Sequence, residues 1–117
     1  MKRYDVVITE NAQQDLRNLS NVIIFEYKSP VTAIKYLRGI YDQFRWLQFN
    51  AESLKIQTSK SYLKFGFNTR RINYKKMAII YSLVDNTVYV KRVVPAKTIH
   101  NRSKVKSLMS KDKRQDN

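Results

Sequence analysis

Along the chain the hydrophobic positions pass from a short β-branched run to a helical period and back to alternation. Residues 3–9 are brief, β-branched and end at polar residues, which predicts a first strand. Thr9 then suits a helix N-cap, and Glu10 suits the positive first turn. Ala12, Leu16, Leu19, Ile23 and Tyr27 follow at spacings of three and four, marking one face of a helix. Ser29 before Pro30 signals a second helix start, and Ala33, Ile34, Leu37, Ile40, Tyr41, Phe44 and Leu47 give its apolar face. Gly39 lies inside that helix at a cost of about 1 kcal/mol relative to Ala, so a close approach by a neighbouring element is expected there.

Residues 50–61 are polar and aperiodic and read as a loop. Residues 62–67 and 69–75 alternate loosely and read as strand, with a bend at Gly66. The clearest strand runs from Ala78 to Val84, the pair Asp85 and Asn86 suits a two-residue hairpin turn, and Val88 to Val94 is the return strand, stopped by Pro95. Ile99, Val105, Leu108 and Met109 could seat a short helix on the body, whereas 110–117 carries no apolar residue and reads as a disordered basic tail. The expected architecture is α+β: an N-terminal strand and an antiparallel two-helix hairpin on one face of a twisted antiparallel sheet of about four strands, in one domain over 1–109. The other sheet face would then be open to water or a partner.

A strict turn at Asp85 and Asn86 pairs Leu83 with Val88, Tyr81 with Val90 and Ile79 with Arg92 on the helix side. It places Ser82, Tyr89 and Lys91 on the open side, and a bulge would reverse one strand's assignment. With Arg70, Arg71, Tyr74, Lys75 and Lys76 on the adjoining strand, the expected surface is basic and aromatic. Cations hold phosphates and rings stack on bases, so such a surface suits RNA. Edge-strand protection by lysines, with tyrosines as ordinary strand formers, accounts for the same pattern.

Charge sharpens this picture. The chain has 117 residues and a formal net charge of +14, of which +12 falls in residues 59–117. That asymmetry points to a polyanionic partner. With no cysteine, disulfides, thiolate zinc sites and a cysteine nucleophile are excluded. One histidine and no glycine-rich phosphate loop imply neither metal nor organic cofactor. The apolar run at 6–8 is too short for a signal peptide and no stretch has membrane-spanning length, so a cytoplasmic protein without a membrane role is expected.

Two blocks carry a family resemblance. The first is Thr9 to Leu16 with Ile23 and Tyr27; the second runs from Met77 through Tyr81, Asp85 and Asn86 to Arg92, Val93 and Val94. Together they resemble the RelE/ParE superfamily of bacterial type II toxins, over about residues 4–98. The resemblance implies the same helical hairpin on a sheet and an antitoxin whose acidic, partly disordered segment wraps the toxin. It also implies a target in translation, where RelE-like members cleave mRNA in the ribosomal A site, or in DNA gyrase, which ParE-like members poison. RelE-like members place an Arg where this chain has Ala78; ParE-like members carry Arg-Val-apolar-His where it reads Arg92, Val93, Val94 and Pro95.

RNA cleavage needs a base, a cation for the phosphorane and an acid. Where the family's own positions are not kept, Arg70 or Arg71 could supply the cation, His100 the base or acid, and Lys97 or Arg102 the phosphate grip; the catalytic candidates are Arg71, Arg92 and His100, with Arg70, Tyr74, Lys75, Lys76, Tyr89, Lys91, Lys97 and Arg102 as candidates to grip the target. The competing assignment makes His100 a surface residue and Arg92 a salt bridge at the sheet end. At the level of the whole chain, the alternatives are a non-catalytic RNA- or ribosome-binding module and an adaptor for an acidic protein.

Overall fold

The computed structural model describes residues 2–99, so expectations for His100, Arg102, the helix around Val105 and the tail at 110–117 lie outside the described residues. Strand β1 (Asp5–Ile8) leads into α1 (Glu10–Tyr27) and α2 (Pro30–Asn50); β2 (Thr69–Tyr74), β3 (Met77–Val84) and β4 (Thr87–Pro95) complete the sheet. Three 3-10 segments, Ala51–Ser53, Lys60–Phe65 and Ala96–Thr98, fill the connections.

Both helices begin as their residues dictate. The Thr9 hydroxyl accepts from the Ala12 amide at 3.3 Å and donates to the Val90 carbonyl at 2.8 Å, so the cap also ties α1 to β4. Ser29 accepts from the Thr32 amide at 3.2 Å, with Pro30 in the first turn. Between them Lys28 takes a left-handed conformation that folds the helices back on each other.

The sheet order is β1-β4-β3-β2. The β3–β4 and β2–β3 pairs are antiparallel, but β1 adds to β4 in parallel, so the sheet is mixed rather than wholly antiparallel. The two helices carry the chain from β1 across to β2 at the far edge, and the two hairpins β2–β3 and β3–β4 bring it back beside β1. Ala12, Leu16, Ile40, Phe44 and Leu47 of the helices pack on Ile79, Tyr81, Leu83, Val88, Val90 and Val93 of the sheet. Each Leu, Ile, Val or Phe among them contributes roughly 1.5–3 kcal/mol by burial. Tyr27, Ile34 and Tyr41, expected on the core faces of their helices, are exposed.

Gly39 meets Tyr74. A Cβ at position 39 would collide with the Tyr74 hydroxyl and the ring carbon bearing it. The Tyr74 ring also stands edge-on to Tyr36 at 5.3 Å between centroids. The close approach expected from a glycine in mid-helix is therefore the docking of β2 on α2.

Further expectations are corrected. Residues 60–65 form a 3-10 helix, not a strand, because the chain turns at Gly66 (φ 98°) and Asn68 (φ 55°) before it can enter the sheet. That segment lies over the second face of the sheet. Ser82 donates to the Phe65 carbonyl at 3.2 Å, Thr69 donates to the Gly66 carbonyl at 2.8 Å, and Ala78, Ile80 and Ser82 are buried. The face expected to be open is thus largely covered. The loop at 50–61 also holds the Ala51–Ser53 turn and a bridge from Ile56 to Arg70 at the β2 edge.

The hairpin register holds from Val84–Thr87 to Tyr81–Val90 and then shifts. Ile80 pairs with Arg92 and Ile79 with Val93, so Lys91 is the extra residue of a β-bulge. The expected Ile79–Arg92 pair does not form; Val93 takes the core position and Arg92 is released from the helix side. Pro95 ends β4 as expected, in the pair with Met77.

Candidate functional site

The bulge sits where β1 stops. Ile8 pairs with Val90, so from Lys91 onward the outer edge of β4 has no strand beside it. Asp15 of α1 takes that place. Arg92 donates to both Asp15 carboxylate oxygens, from Nε at 2.7 Å and Nη2 at 2.9 Å, and the Val93 amide donates to the same carboxylate at 2.9 Å. The bond to Asp15 raises the Arg92 pKa above its ordinary value, so its charge is fixed. Asp15 is the anchor of this corner.

Two cavities of about 570 and 410 Å³ open on either side of Arg92. They share Lys64, Phe65 and Arg92 and form one trough between the 60–65 segment and β4. Lys60, Ser61 and Thr98 line one end; Thr9, Asn11 and Lys91 line the other, at the positive N-terminus of α1. Among the described residues four cations, Lys60, Lys64, Lys91 and Arg92, face the trough and no carboxylate lines it. Such a surface holds phosphate or carboxylate groups and repels cations.

The expected site residues scatter around this feature. Lys91 and Arg92 line the trough; Tyr89 lies half-buried beside them under the Lys91 ammonium, 6.0 Å from its ring centroid. Arg71 is on the same sheet face, but its Nε donates to Asn73 at 2.8 Å and its Nη1 to the Tyr62 hydroxyl at 3.0 Å. Arg70 and Tyr74 pair with Tyr81 and Met77, which puts them on the helix side. There Arg70 has Nε and Nη1 buried with no protein hydrogen-bond partner among the described residues. Lys75 and Lys76 form the β2–β3 turn, with the Lys75 ammonium over Tyr36 and Tyr74. Lys97 is exposed in the last 3-10 segment, at the same end of the sheet, where the Ala96 amide bonds the Lys76 carbonyl at 2.8 Å.

Lys60 and Lys64 were missed by sequence reasoning because Lys60 falls in the stretch read as loop and Lys64 in the stretch read as strand, whereas one 3-10 segment carries both. On the opposite side of the molecule Tyr4 donates to Glu52, which also pairs with Lys2 at 3.4 Å. The Tyr4 bond holds the Glu52 carboxyl below its ordinary range and pushes the Tyr4 phenol up. This cluster is far from the trough in the fold and serves to fasten the N-terminus to the end of α2.

The family profile described as the ParE toxin of type II toxin–antitoxin system, parDE, matches residues 6–99. A comparison with curated proteins gives no match. Among solved structures, the fold is similar to a chain of the chromosomal ParDE toxin–antitoxin system from P. aeruginosa, with TM-score 0.66 and 16% identity over 80% of this chain and 96% of that one. It is also similar to a chain of the RelBE2 toxin–antitoxin complex from Mycobacterium tuberculosis, with TM-score 0.52 and 18% identity over 80% and 98%. No helix among the described residues is long and apolar enough to cross a membrane.

Proposed function

The chain belongs to the ParE toxin family of type II toxin–antitoxin systems, and on that premise we propose that it acts in the cytoplasm by binding DNA gyrase rather than by cutting RNA. An acidic antitoxin segment would restrain it, as the +14 charge favours. The observation that carries the reading is the Arg92–Asp15 clamp. A guanidinium committed to a carboxylate at two points is poorly placed to receive the charge that develops on a phosphorane. Arg71, the other expected catalytic arginine, is likewise engaged by Asn73 and Tyr62. The trough then serves as a grip for anionic groups of the partner, with Lys60, Lys64 and Lys91 supplying the charge.

The runner-up is mRNA cleavage or plain RNA binding at the ribosome. The trough itself favours it, since four cations around one groove suit a phosphodiester backbone. Two reactions separate the readings. Purified protein is added to gyrase with supercoiled plasmid, and to a cell-free translation reaction with mapping of mRNA 5′ ends. The expected result is trapped, cleaved plasmid and intact message. Cuts confined to translated message, with gyrase unaffected, would overturn the proposal and return Arg71, Arg92 and His100 to catalytic roles.

A further inference from the structure

The trough beside β4 holds more charge than the fold uses. Lys60, Lys64 and Lys91 line it, and none of them pairs with a carboxylate among the described residues. Arg92 differs, because Asp15 takes its Nε and Nη2 and offsets its charge. Glu10 stands between Thr9 and Asn11 in sequence, yet only those two neighbours line the trough. Three uncompensated cations around one cavity repel one another until an anion lies among them.

The lysines are placed, not scattered. Lys91 is the extra residue of the β-bulge, and its ammonium lies 6.0 Å from the Tyr89 ring centroid. The Lys64 ammonium lies 5.3 Å from the ring centroid of Phe65, which itself lines the trough. Contacts of this kind restrain a lysine without neutralising it. Lys60 and Lys64 share the 60–65 segment, where four residues at the 3-10 rise set them about 8 Å apart along its axis. Phosphates of one duplex strand advance about 3.4 Å each, so the pair spans roughly two of them. Lys91 continues the row at the other end of the trough.

Two observations favour phosphates over the carboxylates of a peptide. A carboxylate is read best by a guanidinium fork, and the one arginine among the trough-lining residues is already held by Asp15. The free cations are lysines, point charges suited to a backbone gripped without regard to sequence. An extended peptide also needs main-chain partners along a strand edge. On the edge of β4 beside the trough, Asp15 already accepts from the Val93 amide. Asn11 and Ser61 add neutral polar groups of the kind that contact phosphate oxygens. We propose that the trough seats a phosphodiester backbone, that of the DNA which gyrase holds, so that the toxin docks on the protein–DNA complex rather than on the enzyme alone; this rests on the gyrase reading and names which groups of that partner the trough grips.

The test titrates the full-length protein against gyrase holoenzyme with and without a linear DNA duplex. Wild type is compared with the double variants Lys64→Ala, Lys91→Ala and Lys64→Arg, Lys91→Arg, and thermal midpoints report whether the fold is kept. The expected result is that DNA tightens wild-type binding tenfold or more, that the alanine pair loses this gain and that the arginine pair keeps it. Against the duplex alone, the slope of log affinity on log salt should fall by about 0.9 for each lysine removed. Equal wild-type affinity with and without DNA, or a gain and slope unchanged in the alanine pair, would overturn the inference and leave gyrase as target. Release from gyrase–DNA by poly-glutamate as readily as by duplex of equal charge would make the trough a carboxylate site and overturn it too. Absence of wild-type binding to either form would remove the gyrase reading and this inference with it.

Discussion

Arg92 and Asp15 lie 77 residues apart in sequence and meet through two parallel hydrogen bonds, with the Val93 amide completing a third on the same carboxylate. The carboxylate occupies the edge of β4 that β1 leaves uncovered. Asp15 is nearly buried at 11% side-chain exposure, while Arg92 keeps 39%.

Replacing Asp15 by Asn keeps the shape and removes the charge. The half-exposed arginine can recover some water, so the expected cost is about 2 kcal/mol, below that of a fully buried pair. Urea unfolding of Asp15→Asn, Arg92→Ala and the double variant should show strong non-additivity, because either change breaks the same clamp. If Arg92 acts through position alone, Asp15→Asn reduces growth arrest as much as Arg92→Ala does. Full toxicity in Asp15→Asn with none in Arg92→Ala would mean that Arg92 meets the target itself.

Gly39→Ala tests the docking of β2 on α2. Helix propensity alone would gain about 1 kcal/mol. The added methyl instead meets the Tyr74 hydroxyl and must displace the ring. A net loss of about 1–3 kcal/mol is expected, as for other overpacked sites. Adding Tyr74→Leu to Gly39→Ala should restore part of it in thermal melts; equal stability of Gly39→Ala and wild type would show that the ring swings aside freely.

The trough is tested by charge removal. Lys64 lies at the middle, where the two cavities meet, and Lys60 and Lys91 at the ends. Lys64→Ala and Lys91→Ala should each elute from heparin at lower salt than wild type, and the double variant lower still. Lys28→Ala, at the helical turn, serves as the control and should elute closer to wild type. Equal shifts for all three would mean that total charge, not the trough, governs binding.

Tyr81 gives a pH dependence with a definite sign. Its ring is buried and its hydroxyl donates to the Ala51 carbonyl at 2.7 Å. Burial pushes its pKa up to about 12 from the ordinary 10.0. The folded state therefore holds the proton where the unfolded chain releases it. Its contribution is complete below pH 10 and is lost as pH rises through 10 toward 12. The loss is roughly 2–3 kcal/mol from this residue. Tyr81→Phe should be less stable at neutral pH by about 1 kcal/mol, from the lost hydrogen bond, yet show a shallower alkaline limb in urea midpoints. Parallel curves for the two proteins would place alkaline unfolding on other groups.

Much of the fold was legible because local chemistry and tertiary need agreed. Thr9, Ser29 and Pro30 announce helix starts, and Asp85 with Asn86 fixes a turn whose register held for four pairs. The bulge at Lys91 has no such mark. It sits where Asp15, distant in sequence, accepts from Arg92 and the Val93 amide. The covered second face was missed for a related reason. Tyr62 to Phe67 alternates well enough for a strand, and Ser82, Thr69 and Arg71, from other elements, hold that segment across the sheet. Lys60 and Lys64 went unseen with it, while Arg70 and Tyr74 were assigned to a surface and lie on the helix side instead.

The parallel seam between β1 and β4 joins the beginning of the described chain to its end. A ribosome emits β1 and both helices long before the strand that β1 must lie against. Until residue 95 is free, β1 lacks its neighbour β4, Asp15 lacks Arg92, and the trough lacks a wall. Such sequence-distant pairings form late. Synthesis itself thus withholds the finished toxin until its last strand is free to close the sheet.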